Sequence, residues 1–179
     1  MTTDYALLER ARSYDEQAIA ELYDRYAPKI YAYLYRRVSN VQLAEDLTAD
    51  VFVRVLQAIQ SEQFWHTSFN AWLYRIAHNL VVDYYRRRPE ATHLPLDEQL
   101  VADSQTVDSE LAEKFSFQRL RSAIGRLTAG QQEVLALRFG ERLSTRETAE
   151  VMGKTVGAVE GLQHRALVAL RKAAEDDEL

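Results

Sequence analysis

Apolar residues return every third or fourth position along most of this chain. In LAEDLTADVFVRVLQAIQ, Leu43, Leu47, Val51, Val55 and Ile59 recur every four residues and line one face of a helix that the preceding SNVQ opens. Upstream, Ser13 followed by Glu16 has the form of a capping box for a helix through YDEQAIAELYDRYA. Pro28 is expected to interrupt or restart it, and KIYAYLYRRV continues with Ile30, Leu34 and Val38 on one face. After the loop SEQFWHTS comes FNAWLYRIAHNLVVDYYRRR, another full helix. The first four or five helices are predicted to form one bundle.

A second set begins with FSFQRLRSAIGRL. Thr128 with Gln131 caps AGQQEVLALRF, Ser144 with Glu147 caps TRETAEVM, and Gly153 stops that helix with a left-handed residue. A final helix runs from about Thr155 to Ala174, completing a four-helix module. Nothing reads as a strand, because no period-2 alternation is sustained and no Asn-Gly or Asp-Gly turn occurs. The expected fold class is all-α, two small helical domains.

Charge separates the two sets. From Glu90 to Lys114 seven acids face one base, with Pro89 and Pro95 at its start, a composition suited to a flexible linker. Phe115 to Lys172 holds ten Lys/Arg against five Asp/Glu, and the tail AAEDDEL adds four acids. The formal net charge of -5 therefore conceals a basic C-terminal module. The predicted layout is a bundle over 1–89, an acidic linker over 90–114 and a second domain over 115–179.

Cysteine is absent, and His66, His78, His93 and His164 are scattered without ligand spacing, so no metal or other cofactor is expected. No apolar run approaches the roughly 18 residues that span a bilayer. A soluble, unexported, cytoplasmic chain without membrane insertion is predicted.

Two helices cross tightly when the first presents a small residue, the turn accepts a left-handed backbone, and apolar side chains fill the angle. Ala149, Gly153, and Val159 with Leu162 meet these needs in order, and Thr148 and Met152 complete the inner face. A plain helical hairpin shares some of this pattern. If Val159, Leu162 and Ala166 point inward, Val156, Glu160, Gly161, His164 and Arg165 turn outward as candidate DNA contacts, with Thr155 at the helix start and Arg171 and Lys172 further along. A helix with Glu160 and Gly161 at its reading edge is a weak DNA binder alone and needs a second contact.

On these residues the chain resembles the sigma-70 family, specifically the extracytoplasmic-function (ECF) sigma factors. YDEQAIAELYDRYAPKIYAYLYRRV, AEDLTADVFVRVLQAI and FNAWLYRIAHNLVVDYYRRR are similar to their region 2, and IGRLTAGQQEVLALRFGERLSTRETAEVMGKTVGAVEGLQHRALVALRK to their region 4. The resemblance implies a transcription initiation factor with RNA polymerase core, through its β′ clamp and β subunit, promoter DNA and an anti-sigma factor as partners. It implies core-polymerase contacts from Asp46, Asp50, Phe52, Val53 and Leu56, although Phe52 and Leu56 equally suit the bundle interior.

For the −10 element it implies Tyr74, Arg75 and Asn79 on the non-template strand, a flipped-base pocket around Phe64, Trp65 and His66, and Arg86, Arg87 and Arg88 on phosphates. Aromatic platforms beside cations fit the trapping of unstacked bases. Trp72 is expected to pack instead. At the −35 element many relatives carry a basic residue, a serine and an arginine where this chain has Glu160, Gly161 and Leu162, and a leucine in place of Gln163. The loop also has Trp65 and His66 where a glycine and an arginine are often found.

Three other readings compete. An ordinary helix-turn-helix regulator with an N-terminal dimerisation or sensing bundle predicts a symmetric operator. An adaptor binding only proteins leaves the aromatic and arginine cluster without use. No nucleophile–base pair or phosphate loop supports an enzyme.

Overall fold

The computed structural model describes residues 2–61, 68–88 and 120–176. Phe64, Trp65, His66 and the acidic stretch 90–114 lie outside the described residues. The chain divides into two compact units, Met1–Glu90 and Ala91–Leu179, and every regular element among the described residues is helical.

In the first unit α1 (Thr2–Arg12) leads into α2 (Glu16–Val38). Asp15, not Ser13, caps α2: its Oδ1 accepts from the amides of Gln17 at 3.0 Å and Ala18 at 3.2 Å. The Ser13 hydroxyl instead donates to the carbonyl of Glu9. A carboxylate at the electropositive helix start gains more than a hydroxyl two residues earlier, which corrects the expected capping box. Arg10 Nε lies 2.7 Å from Asp15 Oδ2, so one carboxylate joins the end of α1 to the start of α2.

Contrary to the sequence expectation, α2 continues unbroken through Pro28. An internal proline costs on the order of 3 kcal/mol. The helix buries Leu22 and Tyr26 before it and Ile30, Tyr33 and Leu34 after it. Each such side chain contributes roughly 1.5–3 kcal/mol, so packing on both sides outweighs the missing hydrogen bond.

Asn40 Oδ1 accepts from the Leu43 amide at 2.9 Å and opens α3 (Val41–Gln60). Ser68 Oγ does the same for the Ala71 amide at the start of α4 (Phe69–Arg87). The core joins Leu47, Val51, Val55 and Ile59 of α3 to Leu73, Tyr74, Ala77 and Val81 of α4 and to the buried face of α2. Tyr33 and Tyr74 meet edge to face at 5.3 Å, as do Tyr26 and Phe69 at 5.2 Å. At the far end the Tyr85 hydroxyl donates to the Arg37 carbonyl at 2.7 Å, and burial pushes its phenol pKa up.

The second unit has helical backbone over 120–125 (α5), then α6 (Ala129–Leu135), α7 (Thr145–Met152) and α8 (Val156–Asp176). Both expected capping boxes are present, Thr128 with Gln131 and Ser144 with Glu147. The helix expected through Phe139 differs. After Leu135 it widens into a π turn, Ala136–Gly140, closed by the Glu141 amide on the Ala136 carbonyl. The wider turn buries Leu137 and leaves Phe139 exposed. Gly153 ends α7 at φ 61, where a side chain is disfavoured.

Ser144→Ala should lower the unfolding free energy of the second unit by about 1 kcal/mol in denaturant titration, whereas Ser13→Ala should leave the chain's stability unchanged. Tyr74→Ala should destabilise the first unit by roughly 3–5 kcal/mol, while Arg75→Ala leaves its melting temperature in place.

Acid should act on the junction of α1 and α2. The hydrogen bond from Arg10, then that from the Ala18 amide, holds the Asp15 carboxyl below its ordinary value of 3.8. A native pKa below the unfolded one stabilises the fold fully above the ordinary value, and the contribution is lost as pH falls through the native one. An NMR titration should place the Asp15 midpoint below 3.8, and Arg10→Ala should move it upward.

Candidate nucleic-acid interface

Because α4 turns Leu73, Tyr74, Ala77, Val81 and Tyr85 inward, helical geometry carries a different set outward. Arg75, Asn79, Val82 and Arg86 are exposed at spacings of four, three and four, a single polar and basic stripe. Tyr74 does not belong to it. It is only 2% exposed and locked against Tyr33, so its expected place on the non-template strand is corrected to one in the core. Trp72 is half-buried against Phe69, ring centres 5.9 Å apart, in keeping with the packing expected of it.

The stripe ends in cations. Arg86, Arg87 and Arg88 are all exposed. Arg86 Nη2 lies 3.0 Å from Asp83, and Arg88 lies over the Tyr84 ring at 5.1 Å while donating to its hydroxyl. Through the Tyr85–Arg37 bond the last turn of α2, with Arg36 and Arg37, joins this end. Sequence reasoning missed that pair, although both arginine runs stand at helix C-termini, where the dipole favours cations. It also missed Val82, an exposed apolar residue among the polar ones.

On α3 the candidate docking residues separate. Asp46, Asp50 and Val53 are exposed along one stripe with exposed Leu56 beside it. Phe52 is 8% exposed and packs edge to face on Tyr23 at 4.7 Å, which fits the interior one of the two readings its position allows. Beside the stripe, α2 and α3 enclose a groove of about 360 Å³ lined by Tyr23, Asp24, Pro28, Tyr31 and Glu45 among others. Its apolar rings and two carboxylates were not evident from spacing, since they come from two helices.

In the second unit Val134, Ala149 and Val159 form a buried cluster against which Met152 and Leu162 pack. Thr148 lies fully buried with them, and Ala166 joins Leu127 and Leu135 further along α8. The inner face is the one the helix-turn-helix spacing predicts. Val156, Glu160, His164, Arg165 and Arg171 are exposed. Thr155 is exposed too, with its hydroxyl accepting from the Ala158 amide at 3.2 Å. Gly161 is half-buried: Arg165 lies back over it, with Nη1 3.3 Å from where a β-carbon would sit.

Gln163, half-buried beside the reading edge, accepts from Arg138 Nε of the π turn at 3.0 Å. No periodicity signals this pair, which spans 25 residues. Among the described residues no helix is long and apolar enough to cross a membrane.

Residues 22–89 match the family described as Sigma-70 region 2, and residues 123–172 match Sigma-70, region 4. The ECF RNA polymerase sigma factor BldN of Streptomyces coelicolor is 38% identical over 96% of this chain and 66% of that protein. The RNA polymerase sigma factor YlaC of Bacillus subtilis is 33% identical over 87% of this chain and 91% of its own length. Among solved structures, CnrH in complex with the cytosolic domain of CnrY aligns with a TM-score of 0.66 at 26% identity, covering 96% of this chain and 97% of that one. The sigma factor RpoE in complex with the anti-sigma factor NepR from Bartonella quintana shares the fold at a TM-score of 0.65 and 20% identity, over 87% of this chain and 96% of that one. The two helical units, in this order and with these matches, place the chain in the sigma-70 family as an ECF RNA polymerase sigma factor.

Proposed function

We propose that this chain is an alternative sigma factor that binds RNA polymerase core, directs it to specific promoters and helps melt their −10 element. The observation that carries the reading is the α4 stripe of Arg75, Asn79, Val82 and Arg86 running into exposed arginines. A strand leaving a duplex needs cations for its phosphates and polar or apolar contacts for its unstacked bases, and this face offers both. Residues 1–89 supply polymerase docking and promoter melting, 90–114 the linker, and 115–179 the contact with the −35 element. On this reading Phe64, Trp65 and His66 hold the flipped base.

Docking on the polymerase uses Asp46, Asp50, Val53 and Leu56, where carboxylates flank exposed apolar groups suited to a basic partner helix. The neighbouring groove extends that surface. The factor works in the cytoplasm as an initiation factor rather than as an enzyme. CnrH is seen bound to the cytosolic domain of CnrY, and a protein antagonist, an anti-sigma factor, is the regulator proposed here.

Run-off transcription with purified core polymerase and a promoter template tests this reading. Initiation should depend on adding the chain, and start-site use that is the same without it would refute the proposal. Combined Arg86→Ala and Arg87→Ala should weaken promoter binding by the polymerase complex and flatten its log–log salt dependence by roughly 0.9 for each phosphate no longer neutralised.

A further inference from the structure

Arg138 joins three parts of the second unit with one guanidinium. It stands in the π turn, its Nη1 donates to the carbonyl of Leu143 just before the cap of α7, and its Nε donates to Gln163 Oε1 of α8 at 3.0 Å. The Leu143 amide returns a bond to the Leu137 carbonyl at 2.9 Å, so the donor is held on a closed loop. The planar fork of arginine can satisfy two acceptors at fixed angles, which a lysine cannot.

Gln163 lies between two buried positions of α8, Val159 and Ala166, and directly before exposed His164 and Arg165. Two apolar clusters hold α8, Val134 and Ala149 against Val159 and, further along, Leu127 and Leu135 against Ala166, with Gln163 between them. Apolar contacts are non-directional and leave rotation of a helix about its axis weakly defined. A directed hydrogen bond between the two clusters narrows that freedom.

Resting on the reading of α8 as the DNA-facing helix, we propose that Gln163 is a positioning residue for −35 recognition. It touches no base. Its bond to Arg138 sets the rotation of α8, and so the direction in which Glu160, His164 and Arg165 leave the helix.

The test uses full-length chain in holoenzyme with two templates sharing one −10 segment: a duplex promoter selected with the wild-type holoenzyme, and a fork-junction template truncated before the −35 element. Gln163→Leu leaves Arg138 Nε without its acceptor, and initiation on the duplex should fall roughly tenfold, the scale of removing one charge-assisted hydrogen bond. The fork template should show no change. Gln163→Glu keeps an acceptor for Arg138 and should restore duplex initiation to within about twofold of wild type. Equal losses on both templates, or failure of Gln163→Glu to rescue while Gln163→Leu keeps its melting temperature, would overturn the positioning role, as would wild-type duplex activity for Gln163→Leu. Wild-type chain that fails on both templates would instead refute the sigma-factor reading itself.

Discussion

The edge-to-face contact of Tyr33 with Tyr74 is the constraint from which the first unit's surface follows. It holds Tyr74 inward, ring against ring at 87°, and together with the buried residues around it sets which face of α4 turns outward. With Tyr74 inward, the helical repeat leaves no choice about its neighbour: Arg75 must face solvent, and Asn79, Val82 and Arg86 follow it. The Tyr85–Arg37 bond fixes the other end. The polar and basic stripe of α4 is thus a by-product of packing, and buried side chains hold it in register.

The second unit solves the same problem with less core. Its α7 is eight residues long, too short to be stable alone, and depends on its capping box and on packing against α8. Small residues permit the close crossing, with Ala149 4% exposed against fully buried Val159. Gly153 turns the chain where a left-handed angle is needed. The π turn before α7 converts a straight continuation of α6 into a platform from which Arg138 reaches both the loop leading into α7 and α8 itself.

Local signals were legible where local energetics decide. The caps at Thr128 and Ser144, the stop at Gly153 and the buried repeat of α3 could be read because each depends on residues within one turn. Ser13 with Glu16 had the right form and failed, since Asp15 offered the helix start a better acceptor. Pro28 looked like a break because the packing that overrides it comes from other helices. Resemblance points Tyr74 outward and leaves Phe52 open, and only their partners Tyr33 and Tyr23, distant in sequence, show both packed within the bundle. The π turn and the Arg138–Gln163 bond left no pattern in the sequence, since both are settled by tertiary geometry.

The outer face of α8 explains why a sigma-factor reading suits this module better than an independent regulator. Glu160 stands among His164, Arg165 and Arg171, so one carboxylate offsets part of the attraction that cations offer to phosphate. Nonspecific affinity grows with the number of phosphates neutralised, and a face with this balance neutralises few. An independent regulator must supply all its binding energy from such a face. Within the proposed holoenzyme the polymerase and the α4 stripe already hold the promoter, and the linker converts the second contact into an intramolecular one at raised effective concentration. A weak reader then suffices. What it must supply is direction rather than strength, which is why a single hydrogen bond governing the rotation of α8 carries more consequence than another cation on its surface.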